Sequence, residues 1–375
     1  MQSLLERRLI IFAGKGGVGK TTSSSATAIG LAKEGRKTLL VTVDPAKRLA
    51  DSLGVDVGFT ETPVQPNLTA MMLDPEAVIR EHLARELPQL DITEHPLFRY
   101  VTNYMPGLNE LMAIGKLNDL RREGRFDVIV VDTAPTGHAL SFLSAPKTIK
   151  ELMSERSLIK WAIKGYAVWQ QLSTTAKKFQ NVFKKKEDRK DGPPEVDFER
   201  VFGDIEAEAQ RIQAFLTDPD HSALVLVCLP EKLPVEETAQ LYHQVTGELG
   251  MNVTHILVNK MQPDTLGDHR AAFDAIETDA EARGRFAADA AKATGTDPGL
   301  LQAMLAATAF NEIRRDMNQD HLDLLARKVP AVPRVVMPLF RRDVNGLERL
   351  GRFQEALWQA EADAAQEVEE ATLAA

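Results

Sequence analysis

The 375-residue sequence predicts an α/β fold, a doubly wound and mostly parallel sheet with an appended α-helical subdomain. Three observations predict it. Short β-branched runs alternate with longer stretches of helical periodicity. Several of those runs are apolar throughout rather than alternating. One of them leads at once into a glycine-rich loop and a helical pattern. Continuous apolar strands are those covered on both faces, and helices between them imply right-handed crossovers.

In chain order, the strand candidates are Leu9–Phe12, Thr38–Val43, Leu68–Met72, Asp127–Val131, Ala223–Cys228, His255–Val258 and Arg334–Met337. Two stretches interrupt the alternation: residues 74–125 read as several helices, and 140–215 offers no strand. Within the second, Leu158, Trp161, Gly165, Trp169, Leu172, Ala176, Phe179 and Phe183 recur at three- and four-residue steps, an apolar stripe on one long helix. The charged run from Lys184 to Pro194 breaks it as a surface loop. Residues 264–330 are Ala- and Asp-rich and mostly helical, and Leu347–Ala375 reads as a charged terminal helix. The expected division is a core of 1–139, 216–263 and 331–375 with a helical insertion at about 74–125. A helical client or partner subdomain takes 140–215, and a variable helical region takes 264–330.

Composition bounds the function. Apolar residues make up 44% and charged residues 26%, as in ordinary globular proteins. The formal net charge of -9 disfavours nucleic-acid partners and anionic lipid, so membrane contact is expected to be peripheral at most. Cys228 alone cannot form an internal disulfide, a CxxC zinc pair or a four-thiolate cluster. Its position in an apolar run reads as a small buried residue. The charged N-terminus lacks a signal-peptide pattern, and no apolar stretch approaches the roughly 20 residues that span a bilayer. A cytoplasmic location is expected.

The chemistry concentrates in a few strings. After the first strand comes Ala13-Gly-Lys-Gly-Gly-Val-Gly-Lys-Thr-Thr22, which contains G-x-x-x-x-G-K-[ST] as Gly14, Gly19, Lys20 and Thr21 in strand–loop–helix context. This is a phosphate-binding loop of the P-loop NTPase class, with ATP and Mg²⁺ as expected cofactors. Gly14, Gly16, Gly17 and Gly19 let backbone N–H groups curl around phosphate oxygens, with Lys15, Val18 and Thr22 completing the loop. Lys20 would bridge the β- and γ-phosphates, and the Thr21 hydroxyl would take one Mg²⁺ position.

Asp44, at the end of the second strand, sits where open α/β sheets bind ligands. It could orient the attacking water or cap the helix that starts near Lys47. Asp51, further on, could be a surface carboxylate. Four apolar residues followed by Asp132 form the Walker B arrangement, with Asp132 holding Mg²⁺ through water. The following Thr-Ala-Pro-Thr-Gly has the turn chemistry of a switch, and His138 is assigned a packing or hydrogen-bonding role there. Asn259 is either an adenine reader or a turn asparagine. Pro338 and Leu339 could wall the base.

The string G-K-G-G-V-G-K-T-T resembles the deviant Walker A of dimeric ATPases such as MinD, ParA and the nitrogenase iron protein. That resemblance implies that Lys15 reaches a partner's nucleotide in trans, where a cation stabilises charge developing in phosphoryl transfer. Together with V-D-P-A, D-T-A-P-T-G-H, V-N-K and M-P-L-F, the set looks like the arsenite-pump/Get ATPase family, whose eukaryotic members target tail-anchored membrane proteins. Met105–Glu110 and Leu229–Thr238 are supporting matches. The resemblance covers about 1–260 and 330–350. It implies that Asp44 polarises water, Asp132 is the Walker B carboxylate, and Asn259 with Pro338 and Leu339 holds adenine.

The departures count as well. Arsenite activation needs several thiolates and tandem ATPase halves, so an arsenite-pump role is disfavoured. No zinc or iron–sulfur cluster is expected, since the CxxC of many targeting members is absent. The leading reading is an ATP-gated homodimer, or a heterodimer with a paralogue, that handles hydrophobic or membrane-protein clients. The stripe of 158–183 would be either its groove or its own core, and the same choice stands for Met105 and Met112. The alternative is a spatial-positioning switch of the MinD/ParA kind. Against it, the tail Glu361–Glu370 is acidic where a membrane-binding helix is basic.

Overall fold

The computed structural model describes residues 4–44, 48–86, 107–154 and 198–374. Among them, strands β1 (Leu9–Gly14), β2 (Thr38–Thr42), β3 (Thr62–Gln65), β4 (Leu68–Met72), β5 (Val128–Asp132), β6 (Ser222–Cys228), β7 (Val253–Met261) and β8 (Arg334–Pro338) form one sheet. Its order is β3-β4-β2-β5-β1-β6-β7-β8, parallel throughout except for β3 against β4. This is the doubly wound sheet expected from the sequence. The chain moves outward from β1 to β2 and β4, then returns to β5 and β6 on the two sides of β1. Loops at the carboxyl ends of β1, β2 and β5 therefore converge at the switch in winding direction, where such sheets bind ligands.

The strands hold because their side chains feed two separate cores by simple alternation. Leu9, Ile11, Ile129, Val131 and Ile256 face one core, while Ile10, Phe12, Val128, Val130 and Leu257 face the other. The first core is closed by α3 (Pro75–Glu86), α4 (Leu108–Arg122), α5 (Thr136–Ser154), α6 (Phe198–Thr217) and α7 (Lys232–His243). The second is closed by α1 (Lys20–Lys33), α2 (Arg48–Leu53) and the terminal α11 (Leu347–Ala374). Each fully buried Leu, Ile or Phe contributes roughly 1.5–3 kcal/mol, so continuous apolar strands between two helical layers dominate the stability. Where α1 and α11 cross, the Trp358 ring lies against Gly30, and any larger residue at position 30 would collide with it.

Two expectations need adjustment, and one open choice is resolved. The short antiparallel edge strand β3 is additional to the expected set. β7 runs past Asn259 to Met261, so Asn259 lies inside a strand rather than at its end. Met112 is buried in the first core and lines no groove. Met105 and the stripe from Leu158 to Phe183 lie outside the described residues.

Between β7 and β8, helices α8 (Arg270–Glu277), α9 (Ala280–Thr294) and α10 (Pro298–Lys328) form an arm. Asp279 and Asp297 cap α9 and α10 by accepting from Glu281 N and Leu300 N, and Pro298 opens α10 where its missing N–H is harmless. Ion pairs secure the arm's base: Arg270 to Glu312 at 2.6 Å, Arg315 to Asp264 at 3.0 Å and Lys328 to Glu236 at 2.8 Å. Asn318 ties α10 to the sheet, accepting from Gln262 N and donating to Pro230 O. Along α10, Leu300, Met304, Phe310, Ile313 and Met317 are all 54–60% exposed. No helix among the described residues is long and apolar enough to cross a membrane.

Candidate active site

The glycine-rich loop leaves β1 at Gly14 and enters α1 through Gly19, whose φ of 102° is left-handed. Close approach makes both positions glycine. A Cβ on Gly14 would strike the Val227 carbonyl on β6, and one on Gly19 would strike the Asn259 amide. Within this wrap the Lys20 ammonium, only 6% exposed, donates to Gly14 O at 3.0 Å and Lys15 O at 2.8 Å. Burial lowers its pKa, and the neighbouring Asp132 carboxylate opposes that shift. Ser23 donates to Gly19 O at 2.8 Å, fixing the first turn of α1 beneath the loop.

Asp132 ends β5 and is 1% exposed. Its Oδ2 accepts a 2.7 Å hydrogen bond from Thr21 Oγ1, while its Oδ1 is buried with no hydrogen-bond partner among the described residues. Burial pushes its pKa up to about 6, against the lowering by the Thr21 donor and the Lys20 charge. An orphaned carboxylate oxygen beside a hydroxyl is a hard oxygen donor set, the kind Mg²⁺ requires, so these residues fit the ion. Thr133 Oγ1 donates to Phe12 O at 2.7 Å, tying the end of β5 to β1, and Asp44 N donates to Thr42 Oγ1 at 3.2 Å within the turn after β2.

Asp44 follows β2, its side chain 14% exposed, with Arg48 Nη1 3.4 Å from its Oδ2. Lys15 points away from Lys20 and pairs with Glu237 on α7 at 2.9 Å. Thr136 opens α5, with His138 in its first turn. Cys228 is fully buried, and burial pushes its thiol up to about 11, so it stays neutral and inert near pH 7.

A cleft of about 630 Å³ opens beside the loop. Of the residues singled out from the sequence, Gly16, Gly17, Gly19, Lys20, Thr21, Thr22, Asp44, Asp51, Asn259, Pro338 and Leu339 line it. Gly14, Lys15, Val18 and Asp132 do not line it. Val18 is buried beneath the loop, its carbonyl accepting from Asn259 Nδ2 at 2.9 Å. Asn259 Oδ1 accepts from Lys260 N at 2.9 Å, which leaves the amide one donor and one lone pair for a ligand. Leu339 N donates to Met261 O at 2.7 Å, holding the Pro338–Leu339 corner against β7.

Sequence reasoning missed Arg48, Glu237, Phe340 and Arg342 as site neighbours. Arg48 and Glu237 lie in strings singled out for other residues, and nothing in their spacing distinguishes them from surface charges. Phe340 and Arg342 line the base end of the cleft through a loop whose path the sequence does not define.

Comparison with known proteins gives one consistent result. The family model described as anion-transporting ATPase matches residues 7–282. The chain is 33% identical over 259 residues to the ATPase ASNA1 homolog of Dictyostelium discoideum, covering 67% of this chain and 71% of that protein. It is 30% identical over 251 residues to the ATPase GET3 of Mycosarcoma maydis, covering 66% and 71%. A Chlorobaculum tepidum protein named as an arsenical pump-driving ATPase is 29% identical over 271 residues, covering 68% of this chain and 61% of that protein.

Proposed function

The chain belongs to the anion-transporting ATPase family, and from that premise we propose that hydrolysis of Mg·ATP in the cleft opens and closes a cytoplasmic homodimer that shelters hydrophobic, membrane-protein clients. The chain is an ATPase. The observation that carries the chemical part is the buried pair of Thr21 and the half-satisfied Asp132 directly under a loop that wraps Lys20.

In this reading the loop amides and the N-terminus of α1 receive the phosphates. Lys20 exchanges its two carbonyl partners for the β- and γ-phosphate oxygens, a stronger, charge-assisted pairing. Thr21 and Asp132, the latter through water, hold Mg²⁺, which when bound neutralises charge on those oxygens. Asp44 orients the attacking water. Asn259, Pro338 and Leu339 hold the adenine. Lys15 must leave Glu237 to reach across a dimer, and an exposed pair of this kind is worth only about 0.2–1 kcal/mol.

The client part rests on relatives named GET3 and ASNA1 and on the α10 arm, where five large apolar side chains are more than half exposed. Large apolar side chains left exposed in this number on one helix support an interaction role. The test is capture of a labelled single-helix membrane peptide by the purified chain in Mg·ATP, Mg·ADP and no nucleotide. A soluble complex that forms with ATP and dissociates on hydrolysis is the expected result. Peptide that aggregates equally in all three states, with the chain binding DNA or liposomes instead, would replace the client role with a positioning switch.

A further inference from the structure

Among the described residues, Arg48 lines the phosphate end of the cleft on an anchored helix with its guanidinium held by a single ion-pair contact. It is the first residue of α2, a six-residue helix pinned from below by Leu49 and Leu53, each 1% exposed. A backbone bond from Gly346 N to Ser52 O at 2.8 Å pins it from the side. The side chain stands free of that anchoring. It is 57% exposed, lines the cleft with Lys20 and Thr21, and meets Asp44 through one 3.4 Å contact. Its charge is close enough to lower the pKa of both Lys20 and Asp132.

Electrostatics give the contact a purpose. Lys20 and Arg48 share the phosphate end with the carboxylates of Asp44 and Asp51, and Asp132 lies buried beside Thr21. A magnesium-bound triphosphate adds net negative charge there. Beside Lys20, which turns from its loop carbonyls to the phosphates, Arg48 is a second cation lining that end, while Lys15 points away to Glu237. Its tie to Asp44 is a single 3.4 Å contact made from a guanidinium that is more than half exposed. A guanidinium fork on phosphate oxygens is a stronger, bidentate contact.

We propose that Arg48 exchanges Asp44 for the terminal phosphate when ATP enters, acting as a cis arginine that holds that phosphate. The inference rests on the ATPase reading of the cleft. In the step it serves, the water oxygen bonds to the γ-phosphorus as the bridging P–O bond breaks, and ADP leaves with that electron pair. One water proton stays on the phosphate product and the other passes to solvent. Arg48 stabilises charge on the transferring group and loses no proton.

The test compares Arg48→Ala and Arg48→Lys with the unaltered chain by calorimetric titration of Mg·AMP-PNP and Mg·ADP, and by single-turnover hydrolysis of ATP. Arg48→Ala should weaken AMP-PNP about tenfold while ADP changes less than about twofold, and should slow hydrolysis about a hundredfold. Arg48→Lys keeps the charge without the fork, so it should recover affinity for AMP-PNP more than rate. Equal losses for both nucleotides, or none for either, would overturn the assignment and leave Arg48 a structural partner of α2. If Lys20→Ala also left both affinities unchanged, the cleft reading itself would fail, a result distinct from an inert Arg48.

Discussion

The phosphate end of the sheet and the α8–α10 arm break the ordinary rule of burial in opposite directions. The first hides charge: Lys20 and Asp132 are almost fully enclosed, and one carboxylate oxygen has no hydrogen-bond partner among the described residues. The second displays apolar surface: Leu300, Met304, Phe310, Ile313 and Met317 face outward on one helix. Each arrangement is unfavourable by itself, since buried charge lacks solvation and exposed apolar surface orders water. In the proposed function each becomes favourable once its ligand arrives. The difference lies in what completes them, a small anion with its cation in one case and a hydrophobic surface in the other.

That contrast can be broken most severely at Lys20. Lys20→Ala should lower ATP turnover at least a thousandfold, about 4 kcal/mol in the barrier, because the charge that meets the γ-phosphate is gone. Residual turnover within tenfold of the unaltered chain would mean that the enclosed lysine is structural.

The same end of the molecule should show its stored instability in the ligand-free chain. Asp132 has a folded pKa of about 6 against an ordinary value of 3.8. The stability tied to its proton is therefore complete below pH 3.8 and is lost as the pH rises through 6. The shift corresponds to about 3 kcal/mol. Asp132→Asn should melt at a higher temperature than the unaltered chain at pH 7.5, the gap closing near pH 4, and should lose the stabilisation by Mg·ATP. A lower melting temperature at both pH values would refute burial as the source of the shift.

At the arm, Phe310→Ser with Ile313→Ser and Met317→Ser should weaken capture of a hydrophobic peptide about tenfold while leaving ATP turnover within about twofold. Loss of both activities together would show that the arm supports the cleft instead of a client. The smallest expected effect is at Glu237. Removing its charge in Glu237→Gln frees Lys15 and should favour the ATP-bound dimer by no more than about fivefold, read as a shift in its dissociation constant.

The two regions also differed in how far the sequence exposed them. The cleft was legible because Gly14, Gly19, Lys20, Thr21 and Asp132 have fixed offsets from apolar strands, and the chemistry of a phosphate demands those residue types there. Arg48 and Glu237 were not, since a charge on a helix has the same signature whether it faces water or a ligand. The edge strand β3 escaped because Thr62-Pro-Val-Gln65 has no apolar run, and Pro63 is tolerated only because an edge strand has a free side. The arm was legible as a mostly helical stretch at 264–330, but its exposed apolar side chains were not. The sequence of α10 carries little helical periodicity in its apolar residues, so which of them stay uncovered is set by tertiary placement.

Both departures from burial meet in one claim, that ATP closes two copies of the chain around each other's phosphates. The most direct measurement is the mass in solution of Asp44→Asn, a substitution that should slow hydrolysis, alone and combined with Lys15→Ala, in Mg·ATP and without nucleotide. The account predicts two chain masses for Asp44→Asn in Mg·ATP, one chain mass on adding Lys15→Ala, and a dimer that carries hydrophobic peptide. A single chain mass in every nucleotide state would contradict it.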